Sequence, residues 1–197
     1  FFEDAQAAAP LMDVVLTKRG GVPMCGVPYH ALQTYVKRLL DAGTKVAIGE
    51  QLEDPKQAKG LVKRGITRVI TPGTVLEDDA LTASRSNYLT AVCPGKDGFG
   101  LALLDVSTGD FRGAELADLG ALEVELHRLQ PAECLLPSSL EAKWRDGDFP
   151  DAPSKMIWSS EEDWVFEDEV AREVLCRQFE VASLDGFGCR GRPLTVR

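Results

Sequence analysis

Ten residues, Gly21 to His30 (Gly-Val-Pro-Met-Cys-Gly-Val-Pro-Tyr-His), restrict what this chain can fold into more than any other stretch. Pro23 and Pro28 fix φ and withhold backbone donors, so no regular helix can run through them, while Gly26 admits angles that other residues avoid. The stretch reads as a stiff loop that presents Met24, Tyr29 and His30, a polarizable chain and two flat rings. Lys18 and Arg19 stand just upstream. From His30 to Ala42 the apolar Leu32, Tyr35, Val36, Leu39 and Leu40 recur at helical spacing, with Gly43 as the left-handed stop. Rings and cations on a rigid loop suit the backbone and unstacked bases of a nucleic acid. The plainer reading is a buried connector.

Charge separates the chain into two parts. The net charge is −9, yet residues 1–74 carry ten Lys/Arg against seven Asp/Glu, while the remainder carries twelve against twenty-four. That asymmetry fits one part meeting a polyanion and the other avoiding it. No apolar run reaches the roughly 20 residues a membrane span requires, and no signal peptide is visible. Five scattered cysteines and two histidines supply neither a zinc-ligand spacing nor a disulfide framework, which points to a reducing, cytoplasmic setting. The chain opens on Phe1-Phe2-Glu3 without an initiator Met and reads as a piece of a longer protein.

In order, Phe1–Met12 reads as the end of a helix and Val14–Thr17 as a short strand. Lys45–Leu52 reads as a buried strand, Asp54-Pro55 as a turn or short helix, Lys59–Arg64 as a basic loop and Ile66–Ile70 as a strand. Together these make a small mixed α/β domain over 1–74. Residues 75–86 are polar and acidic, a connector. Tyr88–Val92, Phe99–Val106 and Asp110–Glu115, separated by Gly-rich turns, form an antiparallel meander. Leu119, Leu122, Leu126 and Leu129 mark a helix, Glu133–Leu136 and Lys155–Trp158 two more strands, and Val170, Val174, Leu175 and Phe179 a last amphipathic helix. The order β-β-β-α-β-α-β-α over 87–185 is that of a ribonuclease-H-like α/β layer, and 186–197 opens a further region.

Little catalytic chemistry is visible. No Gly-x-x-x-x-Gly-Lys-Ser/Thr loop is present. Asp105 and Asp110 could imitate the metal-binding pair of a ribonuclease-H-like nuclease, but two-metal hydrolysis needs several convergent carboxylates, and Ser107-Thr108-Gly109 between them reads as a hairpin turn. His30 and His127 have no evident ligand partner in sequence, and His127 sits on the Leu-rich helix.

Four segments in order resemble the MutS family of DNA mismatch-repair proteins: Leu16-Thr17-Lys18-Arg19-Gly20, Pro23–His30, Val46–Gln51 and Val69–Thr74. Gly98-Phe99-Gly100, Leu104–Gly109 and Gly186-Phe187-Gly188 extend the resemblance over nearly the whole chain. It implies that 1–74 is a mismatch-binding domain, 87–185 a connector domain and 186–197 the start of a lever and core region. It implies mismatched duplex DNA as ligand, with Lys18 and Arg19 on phosphates and Met24, Tyr29 and His30 on the platform beside the mispair. The family's Phe-x-Glu reader aligns upstream of Phe1, so Phe1-Phe2-Glu3 only mimics it. The family also has a longer loop between Gly20 and Pro23. MutL is the implied protein partner, for which the outward face of the last helix, with Glu173 and Arg177, is the candidate surface. Homodimerisation, a nucleoid-associated location, and ATP with magnesium are implied for the whole protein, with no cofactor and no catalysis in this piece. A pure protein-interaction module and a ribonuclease-H-like nuclease are the alternatives.

Overall fold

The computed structural model describes residues 1–53, 60, 62–75, 87–147 and 150–197, and the chain divides into two compact units, Phe1–Arg85 and Ser86–Arg197. The turn or helix expected at Asp54-Pro55, most of the basic loop after it and most of the acidic connector lie outside the described residues.

In the first unit, helix α1 (Phe2–Met12) buries Ala5, Ala9 and Met12 along one stripe and tolerates Pro10 in its last turn. Strand β1 (Thr17–Arg19) pairs antiparallel with β2 (Val22–Met24), so the strand expected over Val14–Thr17 forms only from Thr17. Helix α2 (Leu32–Asp41) buries Val36 and Leu40. It stops where Gly43, at φ +77°, donates to the Leu40 carbonyl while Thr44 donates to that of Leu39. Strands β3 (Val46–Gln51) and β4 (Arg64–Ile70) form a separate antiparallel pair with a bulge after Ile48. The unit's core is Val36, Leu40, Ile70 and Val75, flanked by Leu32, Val46 and Ile48. Val75, expected to open the connector, therefore belongs to this core. Strand β3 is not the buried strand expected: Ala47, Gly49, Glu50 and Gln51 are exposed. It pairs with β4 alone and sets one face on the core, so its other face has nothing to cover it among the described residues.

The second unit is built on a five-stranded sheet in the order β7-β6-β5-β8-β9: β5 (Tyr88–Pro94), β6 (Phe99–Asp105), β7 (Asp110–Leu116), β8 (Glu133–Pro137) and β9 (Ile157–Glu161). β5, β6 and β7 form the expected meander, and β8 and β9 run parallel to β5. The α/β reading holds for both units, and here the strand order with one antiparallel member is ribonuclease-H-like. Helix α3 (Leu119–Leu129), capped by the Asp118 carboxylate on the Ala121 N–H at 2.8 Å, packs Leu122 and Leu126 on the sheet. Helix α4 (Ser138–Arg145) adds Leu140 and Trp144, and with Val92, Leu101, Cys134, Leu136 and Met156 they complete the core. Helix α5 (Asp168–Gln178) buries no residue fully, so its apolar stripe is less covered than the spacing implies. The tail packs its last turn, α6 (Pro193–Val196), on β6 and β7.

Candidate nucleic-acid interface

The β1–β2 hairpin turns on Gly20 and Gly21, at φ +58° and +84°. Two successive positive φ values make the tight two-residue turn that suits strand twist, and glycine takes them without cost from a side chain. The loop between Gly20 and Pro23 is thus as short as a hairpin allows. The turn fixes the register: Thr17 faces Met24, Lys18 faces Pro23 and Arg19 faces Val22, with the Thr17 hydroxyl donating to the Met24 carbonyl at 2.9 Å. Lys18 and Arg19 are exposed and Met24 is half-buried. Successive side chains leave opposite faces of a strand, so Lys18 projects from one face of the ribbon, while Arg19 shares the other with Met24.

Beyond Met24 the chain runs extended to Pro28, then closes a 3-10 turn, Tyr29–Ala31, in which the Ala31 N–H donates to the Pro28 carbonyl at 3.0 Å. This turn leads into α2 with Tyr29 87 % exposed and His30 exposed beside it. A tyrosine that open is not a fold-stabilising side chain, since burying its ring would bring the large apolar gain that here goes unused. The buried-connector reading fails for Tyr29 and His30. Nearby Arg38 is used internally: it donates to the Met12 carbonyl at the end of α1 and lies 5.6 Å from the Tyr35 ring centroid. On β4, Arg64 and Arg68 are exposed, as is Lys63 just before it. Sequence reading missed the bare apolar approach to the hairpin, Val15 (78 % exposed) and Leu16, which it assigned to a short strand.

In the second unit, Glu173 and Arg177 are exposed one turn apart on α5, which packs against the turn before it and against α6. The nuclease alternative finds nothing to stand on. Asp105 accepts from the Ser107 N–H and hydroxyl at 3.0 and 2.6 Å, Asp110 pairs with Arg112 at 2.8 Å, and no cluster able to hold a metal ion occurs among the described residues. The Ser107 hydroxyl is the main reason the Asp105 carboxyl is held below its usual range. His127 has a partner the sequence did not reveal, Asp151 at 3.2 Å.

Comparison with known proteins matches MutS domain I to residues 1–79 and MutS domain II to residues 87–197. The chain belongs to the MutS family. DNA mismatch repair protein MutS of Thermosynechococcus vestitus is 43 % identical over 211 residues, covering 100 % of this chain and 24 % of the relative. The proteins of the same name from Syntrophobacter fumaroxidans and Syntrophomonas wolfei are 45 % and 42 % identical, covering 100 % and 96 % of this chain and 23 % of each relative. The chain spans about a quarter of the length of the relatives it matches. Domain II of the family reaches residue 197, in agreement with the packing of α6 on the sheet. No described helix is long and apolar enough to cross a membrane.

Proposed function

We propose that this chain is the DNA-facing and partner-facing portion of a mismatch-repair protein, with duplex DNA held by the first unit and a protein partner met by the second. The reading rests above all on one observation: a single uninterrupted segment, residues 18–30, carries exposed Lys18, Arg19, Tyr29 and His30 within MutS domain I. Lys18 and Arg19 would contact phosphates, which position the protein without reading sequence. Met24, Tyr29 and His30 would lie against the distorted step. Selectivity would come from deformability: a mispaired step kinks at lower cost than a paired one, so a protein that bends DNA favours it without touching base edges. The second unit repels phosphate and faces protein, with MutL as the partner and Glu173 and Arg177 as contacts. Homodimerisation and the ATP- and magnesium-dependent step belong in this reading to the whole protein, and this chain performs no catalysis.

Titration of matched and mismatched duplexes at several salt concentrations tests the DNA half. Binding by the 197-residue chain is expected to be weak, salt-dependent and nearly blind to the mispair, because Phe1-Phe2-Glu3 does not align with the family's Phe-x-Glu reader. Lys18→Glu and Arg19→Glu should each lower the slope of log K against log salt by about 0.9, the value for one phosphate contact. Unchanged slopes in both variants refute the assignment, and strong mismatch preference would make Phe1 the reader. For the partner half, retention of MutL on the immobilised chain should be lost in the Glu173→Ala/Arg177→Ala double variant; full retention removes these two residues from the interface.

A further inference from the structure

Among the described residues of the second unit, Trp164 and Phe187 are the most exposed aromatic side chains, and Phe187 stacks on Phe179 at 5.1 Å. The other two tryptophans, Trp144 and Trp158, meet edge-on at 5.5 Å within the core, whereas Trp164 is 57 % exposed and its neighbour Val165 39 % exposed. The turn that carries them, Asp163–Phe166, is no loose loop. At its start the Asp163 carboxylate accepts from the Ser139 N–H at 3.0 Å and the Ser138 hydroxyl at 3.1 Å, tying it to the beginning of α4. At its end Phe166 is buried and its carbonyl accepts from Arg197 at 2.9 Å. A turn held at both ends presents its indole from a fixed backbone, so docking onto it need not order the turn, and tryptophan is among the residues most enriched at the energetic centres of interfaces.

The charge around it defines the occupant. Glu161 and Glu162 immediately precede the turn, Glu167 and Glu169 follow it, and all four are exposed with no ion pair to a described residue. They do not converge into a cation site. A phosphate backbone or an anionic lipid surface would be repelled. An apolar group bearing cations would instead bury the Trp164–Val165 surface and satisfy the flanking carboxylates, and a lysine or arginine can also sit over the indole face. We propose that the Trp164 turn is a docking site for a protein segment in which an apolar anchor is flanked by lysine or arginine. The proposal rests on and deepens the reading that the second unit faces protein, adding a contact at Trp164 to the one at Glu173 and Arg177.

The test uses the 197-residue protein and two labelled synthetic peptides of equal positive charge, one with a Leu-Leu anchor between lysines and one with Ser-Ser in its place. Fluorescence anisotropy should show the anchored peptide binding, with a blue shift of Trp164 emission, and the serine peptide binding far more weakly. Trp164→Ala should weaken the anchored peptide about tenfold or more, the range of an interfacial anchor, and the serine peptide far less, by no more than the loss of a cation over the indole. The near-UV dichroism of the Trp144–Trp158 pair reports whether the variant is folded. The Glu161→Gln/Glu162→Gln double variant should weaken both peptides without touching the indole. Equal binding of the two peptides, indifference to Trp164→Ala, or no binding at all overturns the proposal. Concentration-dependent dimerisation lost in Trp164→Ala would also overturn it by making a second copy the occupant. None of these failures bears on the DNA titration or on the Glu173/Arg177 retention assay.

Discussion

Gly100→Ala is the substitution for which the structure makes the sharpest demand. Gly100 lies in β6 where α6 crosses, and a Cβ there would fall 1.8 Å from the Leu194 carbonyl oxygen and 2.6 Å from its carbonyl carbon. No side chain tolerates such a contact, and the obstacle is backbone, so a rotamer change cannot relieve it. The helix must move off the sheet, giving up the burial of Val196, the bond from the Leu194 N–H to the Glu115 carboxylate at 3.0 Å and that from Arg197 to the Phe166 carbonyl. Overpacking of this kind costs about 1–3 kcal/mol, which in urea lowers the midpoint by about 1 M. Gly113→Ala is the internal comparison. Its Cβ would meet a Thr195 methyl at 2.4 Å, a side chain that can rotate away, so the loss should be the smaller of the two. Equilibrium urea unfolding followed by circular dichroism measures both. Cys93 lines a cavity of about 20 Å³ bounded also by Leu194 and Thr195, so alkylation of Cys93 should quicken in Gly100→Ala as the helix lifts. The deciding control removes residues 193–197: without α6, Gly100→Ala should cost almost nothing. A neutral Gly100→Ala in the full chain, or an equal cost with α6 removed, refutes the reasoning.

Ser159→Ala withdraws the hydroxyl that donates to the Glu133 carboxylate, where both residues are buried between β8 and β9, and should cost about 1.5–3 kcal/mol in the same unfolding assay. The Asp105 carboxyl, held below its ordinary range chiefly by the Ser107 hydroxyl, binds a proton less readily folded than unfolded. Its contribution is therefore complete above the usual carboxylate pKa of about 4 and is lost as pH falls through the lower folded value. Asp105→Asn should be less stable than the parent at neutral pH, with the difference shrinking as both are taken into acid; a constant difference would refute the assignment. Burial pushes the Cys134 thiol up to about 12 and raises that of Cys93, whereas Cys25, Cys176 and Cys189 are half-buried. Titration of the native protein with a chromogenic disulfide at mildly alkaline pH should count three thiols, and five in denaturant.

What could be read from the sequence was whatever a local pattern determines alone. The spacing of Leu32, Val36 and Leu40 with Gly43 behind them determines α2, and that of Leu122 and Leu126 determines α3, because a helix closes its own hydrogen bonds. Strand limits depend on a partner. Val14, Val15 and Leu16 have the composition of a strand, yet the chain pairs only from Thr17, because the Gly20-Gly21 turn sets which residues can face each other. The same dependence explains β3, whose apolar residues promised burial on both faces while, among the described residues, only one face finds a neighbour. Helix α4 left little trace beyond Leu140 and Trp144, one turn apart in a short polar segment.

The candidate site divides along the same line. Residue types announced a rigid platform with cations, and the motif placed it in the family, but the geometry of the cations comes from the register. Adjacent lysine and arginine read as a local positive patch; in a ribbon they leave opposite faces. A flat anionic surface laid against either face would meet only one of them. A groove with a phosphate rail on each side can meet both at once, since a two-stranded ribbon is narrow enough to enter a duplex groove. The two-residue turn favours this because each extra residue at the tip would free the cations from the register that opposes them. On the proposed reading, the arrangement would select for a duplex over a planar polyanion before any base is touched. It would also fit the proposed separation of duties between the units, in which the hairpin supplies cations whose positions are fixed by pairing and the acidic sheet domain, by its charge, would keep its exposed aromatic surface from phosphate.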